Sequence, residues 1–167
     1  AFIGAGPIGC ELSQAFRRFG SDVTLVESDR GLLPKEDREA ADIVRQSLLH
    51  DGVSIRGGAR DLQVANVSDG IQLSVESRSE SWQTTVDNLV VAVGRAPNVE
   101  SLGLASAGVE FGDAGIQVND RLQTSNPHIF AAGDVASKYQ FTHAADFMAR
   151  TVIGNALFFG RSKASAL

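Results

Sequence analysis

The sequence predicts an α/β fold: a doubly wound parallel sheet carrying an antiparallel β-meander, followed by a shorter segment with one more strand and a helix. Three observations predict it. A glycine-rich turn, Gly4-Ala-Gly6-Pro-Ile-Gly9, joins an apolar strand end to a stretch of helical periodicity. Apolar, β-branched runs then alternate with helical stretches as far as Arg56, the pattern of parallel strands buried on both faces. From Leu62 to Val86 the period shortens to two, as in antiparallel strands with one wet face.

Each element follows in order. Phe2-Ile3 reads as the end of a strand. Residues 7–19 read as a helix, with Ile8, Leu12, Ala15, Phe16 and Phe19 at helical spacing and Gly20 as a C-cap. Asp22–Glu27 (DVTLVE) is a second strand, residues 35–50 a second helix with Ala40, Ile43, Val44, Leu48 and Leu49 apolar, and Gly52–Arg56 a third strand. This β-α-β-α-β order is the mononucleotide-binding half of a Rossmann-like sheet. Leu62–Val67, Ile71–Glu76 and Trp82–Val86 form the meander, with turns at Asp69-Gly70 and Arg78–Ser81. Asn88–Val93 returns as a fully buried strand ending in Gly94, and residues 95–115 form a Gly- and Ala-rich loop with one helical turn near Leu102–Ala107. Ile129–Ala132 is a short strand, and a last helix runs from Thr142 to Phe159 with Ala145, Met148, Val152, Ala156 and Phe159 on one stripe.

Composition narrows the function classes. The 167 residues are enough for one domain or slightly more, 43% of them are hydrophobic, and the net charge of −5 argues against a nucleic-acid footprint. Cys10 is the sole cysteine, so the chain holds no internal disulfide or CxxC site, which fits a reducing compartment, the cytoplasm. No apolar run reaches the roughly 18 residues of a membrane span, and no leader is visible. The chain opens inside a strand without an initiator Met, as a piece of a longer protein would.

Gly4, Gly6 and Gly9 fit the dinucleotide fingerprint GxGxxG. Gly4 permits the tight turn, Gly6 lets a pyrophosphate approach the backbone, and Gly9 lets the helix pack close to the strand. The helix start offers free N–H groups and a partial positive charge to phosphates, with Pro7 and Ile8 in its first turn. A glycine turn alone also serves as a tight βα turn with no ligand. Here Glu27, 18 residues after Gly9, closes the second strand where an acceptor for adenosine ribose hydroxyls belongs. Ser28 joins it as a cofactor-binding candidate. A carboxylate accepts two hydroxyls and repels a 2′-phosphate, so Glu27 favours NAD(H) over NADP(H), with Arg30 nearby to soften the exclusion.

In order along the chain, GAGPIGCE, VTLVE, VVAVGRAPN and IFAAGDV resemble the flavin-dependent pyridine nucleotide–disulfide oxidoreductases, and the resemblance covers essentially the whole chain. The segment KYQFTHAADFMARTVIGNALFFGR most resembles a mercuric reductase-like branch; dihydrolipoamide dehydrogenase and glutathione reductase are other members. The resemblance implies an NAD(P)-binding domain over 1–95 and a returning, incomplete segment of an FAD-binding domain over 96–167. It places the other FAD-domain half, a redox cysteine pair and a dimerisation domain outside this chain, within a homodimer. Cys10 is then a small packing residue.

The resemblance also implies roles. Glu11 matches the glutamate that reaches the nicotinamide carboxamide and flavin edge, although a first-turn acid is also favoured by the helix dipole alone. Pro7 stands where some relatives carry a gating aromatic, and cannot gate. Gly94 matches the glycine over which the cofactor crosses the sheet edge, and Arg95 is read as structural. Gly133 and Asp134 match the FAD ribitol site, and Thr142-His143 opens a helix whose N–H groups face the flavin. The implied chemistry is a relay in which NAD(P)H gives hydride to FAD and onward to a cysteine pair and substrate. This chain supplies the nicotinamide half, and alone is expected to bind NADH weakly, hold little FAD and show no turnover. Two other readings stay open: a flavin NADH oxidase or ferredoxin reductase of like architecture, and a non-catalytic NAD-binding module or vestigial site.

Overall fold

The computed structural model describes residues 1–28, 31–57, 59, 61–76, 81–158 and 160–164. Arg30, most of the expected 78–81 turn and Phe159 lie outside the described residues. The chain divides into two compact units, Ala1–Arg95 and Ala96–Leu167.

The first unit is built on a parallel sheet. β1 (Phe2–Ile3), β2 (Thr24–Val26), β3 (Ser54–Arg56) and β7 (Val90–Val91) lie in the order β3-β2-β1-β7. Phe2 pairs with Leu25 on one side and Val90 on the other, so the strand order reverses across β1. The expected stretches were longer because the pattern of apolar residues outruns the ladder; only two or three residues of each pair. β7 also corrects the expectation of a fully buried strand over 88–93. It is an edge strand that pairs with β1, and Val91 and Val93 are 64% and 70% exposed.

Two helices connect the first three strands. α1 (Pro7–Arg18) starts with proline at its first position, where the missing N–H costs no bond. α2 (Arg38–His50) is capped by Asp37, whose carboxylate accepts from the N–H groups of Glu39 and Ala40. The core between helices and sheet gathers Phe2, Ala5, Cys10, Val23, Leu25, Leu32, Leu48 and Val53, with Val44 and Ile55 packed against it. The helix carboxyl ends are tied together: Asp51 accepts from Gln14 (2.7 Å) and Arg18 (2.9 Å), which hold its carboxyl below the usual range.

The apolar stripe that announces α1 is not the face it buries. Gly9, Cys10 and Ser13 are buried, whereas Ile8, Leu12 and Phe16 are exposed and Phe19 is 83% exposed. Small residues face the sheet because the glycine turn brings helix and strand too close for larger ones. In α2 the expected stripe is buried in part: Leu48 is buried and Val44 packs against the core, whereas Ala40, Ile43 and Leu49 are exposed and Ala41 is buried beside them.

The meander is β4 (Leu62–Val67), β5 (Gly70–Glu76) and β6 (Ser81–Val86), antiparallel in that order. Leu73 and Val75 of the central strand are fully buried, and β6 alternates exposed and half-buried as the period of two requires. Ser81, expected in the turn, is the first residue of β6.

The second unit holds β8 (Phe111–Gly112), β9 (Gly115–Ile116) and α3 (Thr142–Leu157). The β8–β9 hairpin falls in the stretch expected to be loop. Its signal was the Gly112-Asp-Ala-Gly115 turn, where Gly115 has φ +110° and a Cβ would run into the carbonyl of Val135. The expected helical turn is present as turns, with the Ala107 N–H donating to Gly103 and Leu104. The strand expected over 129–132 is reduced to one antiparallel bridge, Gln123 to Phe130. α3 buries Ala144, Met148 and Thr151; of the expected stripe Met148 is buried, Ala145 and Val152 are half-buried and Ala156 is exposed.

Candidate functional site

The turn after β1 emerges where the strand order reverses, the place at which open α/β sheets bind ligands. Three backbone bonds hold it. Gly4 N–H donates to Val26 (2.9 Å), Ala92 N–H donates to Ile3 (2.7 Å), and Cys10 N–H donates to Gly6 (3.0 Å), the first turn of α1. Gly4 therefore sits beside the carbonyl that immediately precedes Glu27.

Each fingerprint glycine has a separate steric reason. Gly4 has φ +102°, and a Cβ would lie 2.5 Å from the Ala92 carbonyl oxygen. A Cβ on Gly9 would collide with the Gly4 carbonyl oxygen. Gly6 is the opposite case. Its φ of −76° suits any residue, and a Cβ would meet no heavy atom within 4 Å. Nothing in the described protein requires glycine there, so the open space is a cradle that a side chain would fill. As N-cap of α1, Gly6 also supplies no side-chain cap, which leaves the amides of Ile8 and Gly9 at an uncapped helix start. These residues fit a diphosphate.

The adenosine side is built on the end of β2. Glu27 is half-buried, its N–H donates to Arg56 (2.8 Å), and its carbonyl accepts from Ala59 (3.2 Å). Oε1 lies 2.7 Å from where a Cβ on Gly57 would stand, so the carboxylate reaches over the end of β3. A cleft of about 460 Å³ opens beside it, bounded by Gly31, Leu32 and the α2 residues Arg38, Ala41 and Arg45. Ser28 is exposed next to it. The loop that follows returns to the turn: Leu33 N–H donates to Ala5 O at 2.8 Å. This bond, which no motif announced, joins the two halves of the site.

Other expected residues are placed as follows. Pro7 and Ile8 are exposed in the first turn of α1. Glu11 is exposed one residue beyond the first turn, which corrects its description as a first-turn acid. Gly94 is exposed past β7, with nothing within 4 Å of a Cβ, so, like Gly6, it leaves open space. In the second unit, Gly133 is buried with φ +83°, and Asp134 beside it is half-buried. α3 begins at Thr142 without a side-chain cap, and the His143 ring stacks on Phe141 at 5.5 Å. Among the described residues there is no cluster of His, Cys, Asp and Glu able to hold a metal, and no helix is long and apolar enough to cross a membrane.

Cys10 is buried beneath the turn, its thiol 3.5 Å from the Ala5 carbonyl. Burial, and secondarily the charge of Glu11, push its pKa up to about 11. The folded state thus favours the protonated thiol, a contribution fully present below the ordinary thiol value of 9.0 and lost as pH rises through 11. At pH 8, alkylation of the folded chain is expected to be at least about 100-fold slower than in guanidinium, following the thiolate fraction. Mass spectrometry of the single cysteine reads the rate directly; equal rates would contradict a buried, protonated thiol.

The family model described as pyridine nucleotide-disulphide oxidoreductase matches residues 1–149. The chain belongs to this family. It is 41% identical over 146 residues to dihydrolipoyl dehydrogenase of Thermus scotoductus, covering 86% of this chain and 32% of that protein. It is 35% identical over 164 residues to mercuric reductase of Staphylococcus aureus, covering 98% of this chain and 30% of that protein. Among solved structures it is similar to the HOCl-induced flavoprotein disulfide reductase RclA of Escherichia coli, with a TM-score of 0.88 at 32% identity over 99% of this chain and 38% of that one. The chain spans about a third of the length of the curated relatives it matches. The family is one of oxidoreductases that depend on FAD and a pyridine nucleotide.

Proposed function

We propose that this chain is the pyridine-nucleotide-binding part of a flavoprotein oxidoreductase, with NAD(H) as its preferred dinucleotide. The observation that carries the reading is the contrast among three glycines: Gly4 and Gly9 are demanded by the protein's own backbone, whereas the missing Cβ at Gly6 leaves only open space. A diphosphate is the group that uses it.

The residues take these roles. The Ile8 and Gly9 amides and the α1 dipole hold the diphosphate. Glu27 accepts the adenosine ribose hydroxyls, with Ser28 beside it, and its charge disfavours a 2′-phosphate. Gly94 leaves room at the edge of the sheet, and Glu11 approaches the nicotinamide end. In the second unit, Gly133 and Asp134 take the ribitol of FAD, and the Thr142 and His143 amides at the start of α3 favour negative charge on the reduced ring. A bound nicotinamide supplies the hydride and a flavin accepts it; the protein orients and shields them. The redox cysteine pair is assigned to another part of the same protein, since Cys10 is the only cysteine in this chain and is buried under the turn; the rest of the flavin site and a dimerisation domain are assigned there too, since the chain spans about a third of its curated relatives.

Calorimetric titration of NADH and NADPH into the chain tests the reading. Saturable binding, tighter for NADH, is expected, with little bound FAD and no NADH oxidation. A yellow preparation that oxidises NADH would overturn the division of labour, and absence of any dinucleotide binding would overturn the whole reading.

A further inference from the structure

Arg38 is the first residue of α2, a place where a cation opposes the helix dipole. Its position is therefore unexplained by the helix. The guanidinium instead turns back into the preceding loop and donates to three carbonyls: Leu32 through Nη1 at 3.2 Å, and Leu33 and Glu36 through Nη2, the latter at 3.0 Å. Leu33 is one of three described non-glycine residues with positive φ, at +49°, a conformation that L side chains resist. Its N–H is the donor to Ala5 in the glycine turn, and its own carbonyl accepts from Glu36 N–H as well as Arg38. Leu32 alongside is buried in the core.

We propose that Arg38 is a positioning residue for dinucleotide binding: by clamping the Leu32, Leu33 and Glu36 carbonyls it holds Leu33 in its left-handed turn and so keeps the Gly31-Leu32 wall of the adenosine cleft tied, through Leu33, to the phosphate turn at Ala5. The clamp uses two separated nitrogens of the planar guanidinium; a lysine ammonium gathers its three donors on one nitrogen with a shorter reach, so it reproduces only part of the clamp. Arg38 acts through the loop, and the ligands it affects are those that engage both halves of the site together. This rests on the dinucleotide reading above.

The test compares two ligands on the 167-residue chain and on Arg38→Ala and Arg38→Lys. ADP-ribose spans both halves; inorganic pyrophosphate engages the phosphate turn alone. Arg38→Ala is expected to weaken ADP-ribose at least tenfold while pyrophosphate, followed by NMR shifts, stays within twofold. Arg38→Lys is expected to fall between parent and Ala. If Arg38→Ala does not fold, the same ligand split in Arg38→Lys decides. A variant that binds ADP-ribose as the parent does, or that loses both ligands equally, overturns the clamp. A parent that binds neither ligand overturns the dinucleotide reading, and the clamp with it.

Discussion

Gly9→Ala is expected to destabilise the chain by about 3 kcal/mol or more, lowering the thermal midpoint by roughly 10 °C or more, because the added methyl meets a backbone carbonyl that has nowhere to move. The Gly4 oxygen cannot retreat easily: Gly4 is bonded to Val26 and packed against Ala92. Gly6→Ala, three residues earlier, has the opposite expected signature. Its backbone accepts alanine and the methyl meets nothing, so the stiffer unfolded chain and the poorer N-cap that alanine makes oppose each other, and stability changes by no more than about 1 kcal/mol. Dinucleotide affinity nevertheless falls at least tenfold, because the methyl occupies the space assigned to the diphosphate. Thermal melts and calorimetry on the two variants separate fold from function. A Gly6→Ala that loses as much stability as Gly9→Ala, or one that binds as the parent does, would remove the cradle from the explanation.

Glu27→Arg is expected to reverse cofactor preference. Two ribose hydrogen bonds to a carboxylate, at about 1.5–3 kcal/mol for each charged bond, correspond to a loss of roughly 10²- to 10⁴-fold in NADH affinity, while the new cation meets a 2′-phosphate. Glu27→Gln keeps the shape and removes the charge. It should weaken NADH with little gain for NADPH. Equal affinities for the two dinucleotides in the parent and in both variants would remove Glu27 from the selectivity.

The glycine turn, the acid at the end of β2 and the alternation of strands and helices were legible because each is a local pattern in the sequence. GxGxxG followed by a helix, with Glu27 at the next strand end, needs no tertiary knowledge. What the sequence did not show is which helix face is buried. In α1 the largest apolar residues point outward and Gly9, Cys10 and Ser13 point in, because packing distance at the turn outweighs hydrophobicity. Apolar periodicity cannot report that distance. The β8–β9 hairpin was missed for a related reason: two-residue strands carry too little pattern, and only the Gly112-Asp-Ala-Gly115 turn between them marks them. The Leu33–Ala5 bond and the Arg38 clamp are contacts to backbone carbonyls, and carbonyls have no sequence signature.

The most direct measurement is an amide-resolved NMR titration of the ¹⁵N-labelled chain with NADH. Saturable shifts centred on the Ile8 and Gly9 amides, weakened in Gly6→Ala, are expected if the start of α1 holds the diphosphate. NADH that saturates elsewhere while these amides stay unmoved would contradict it.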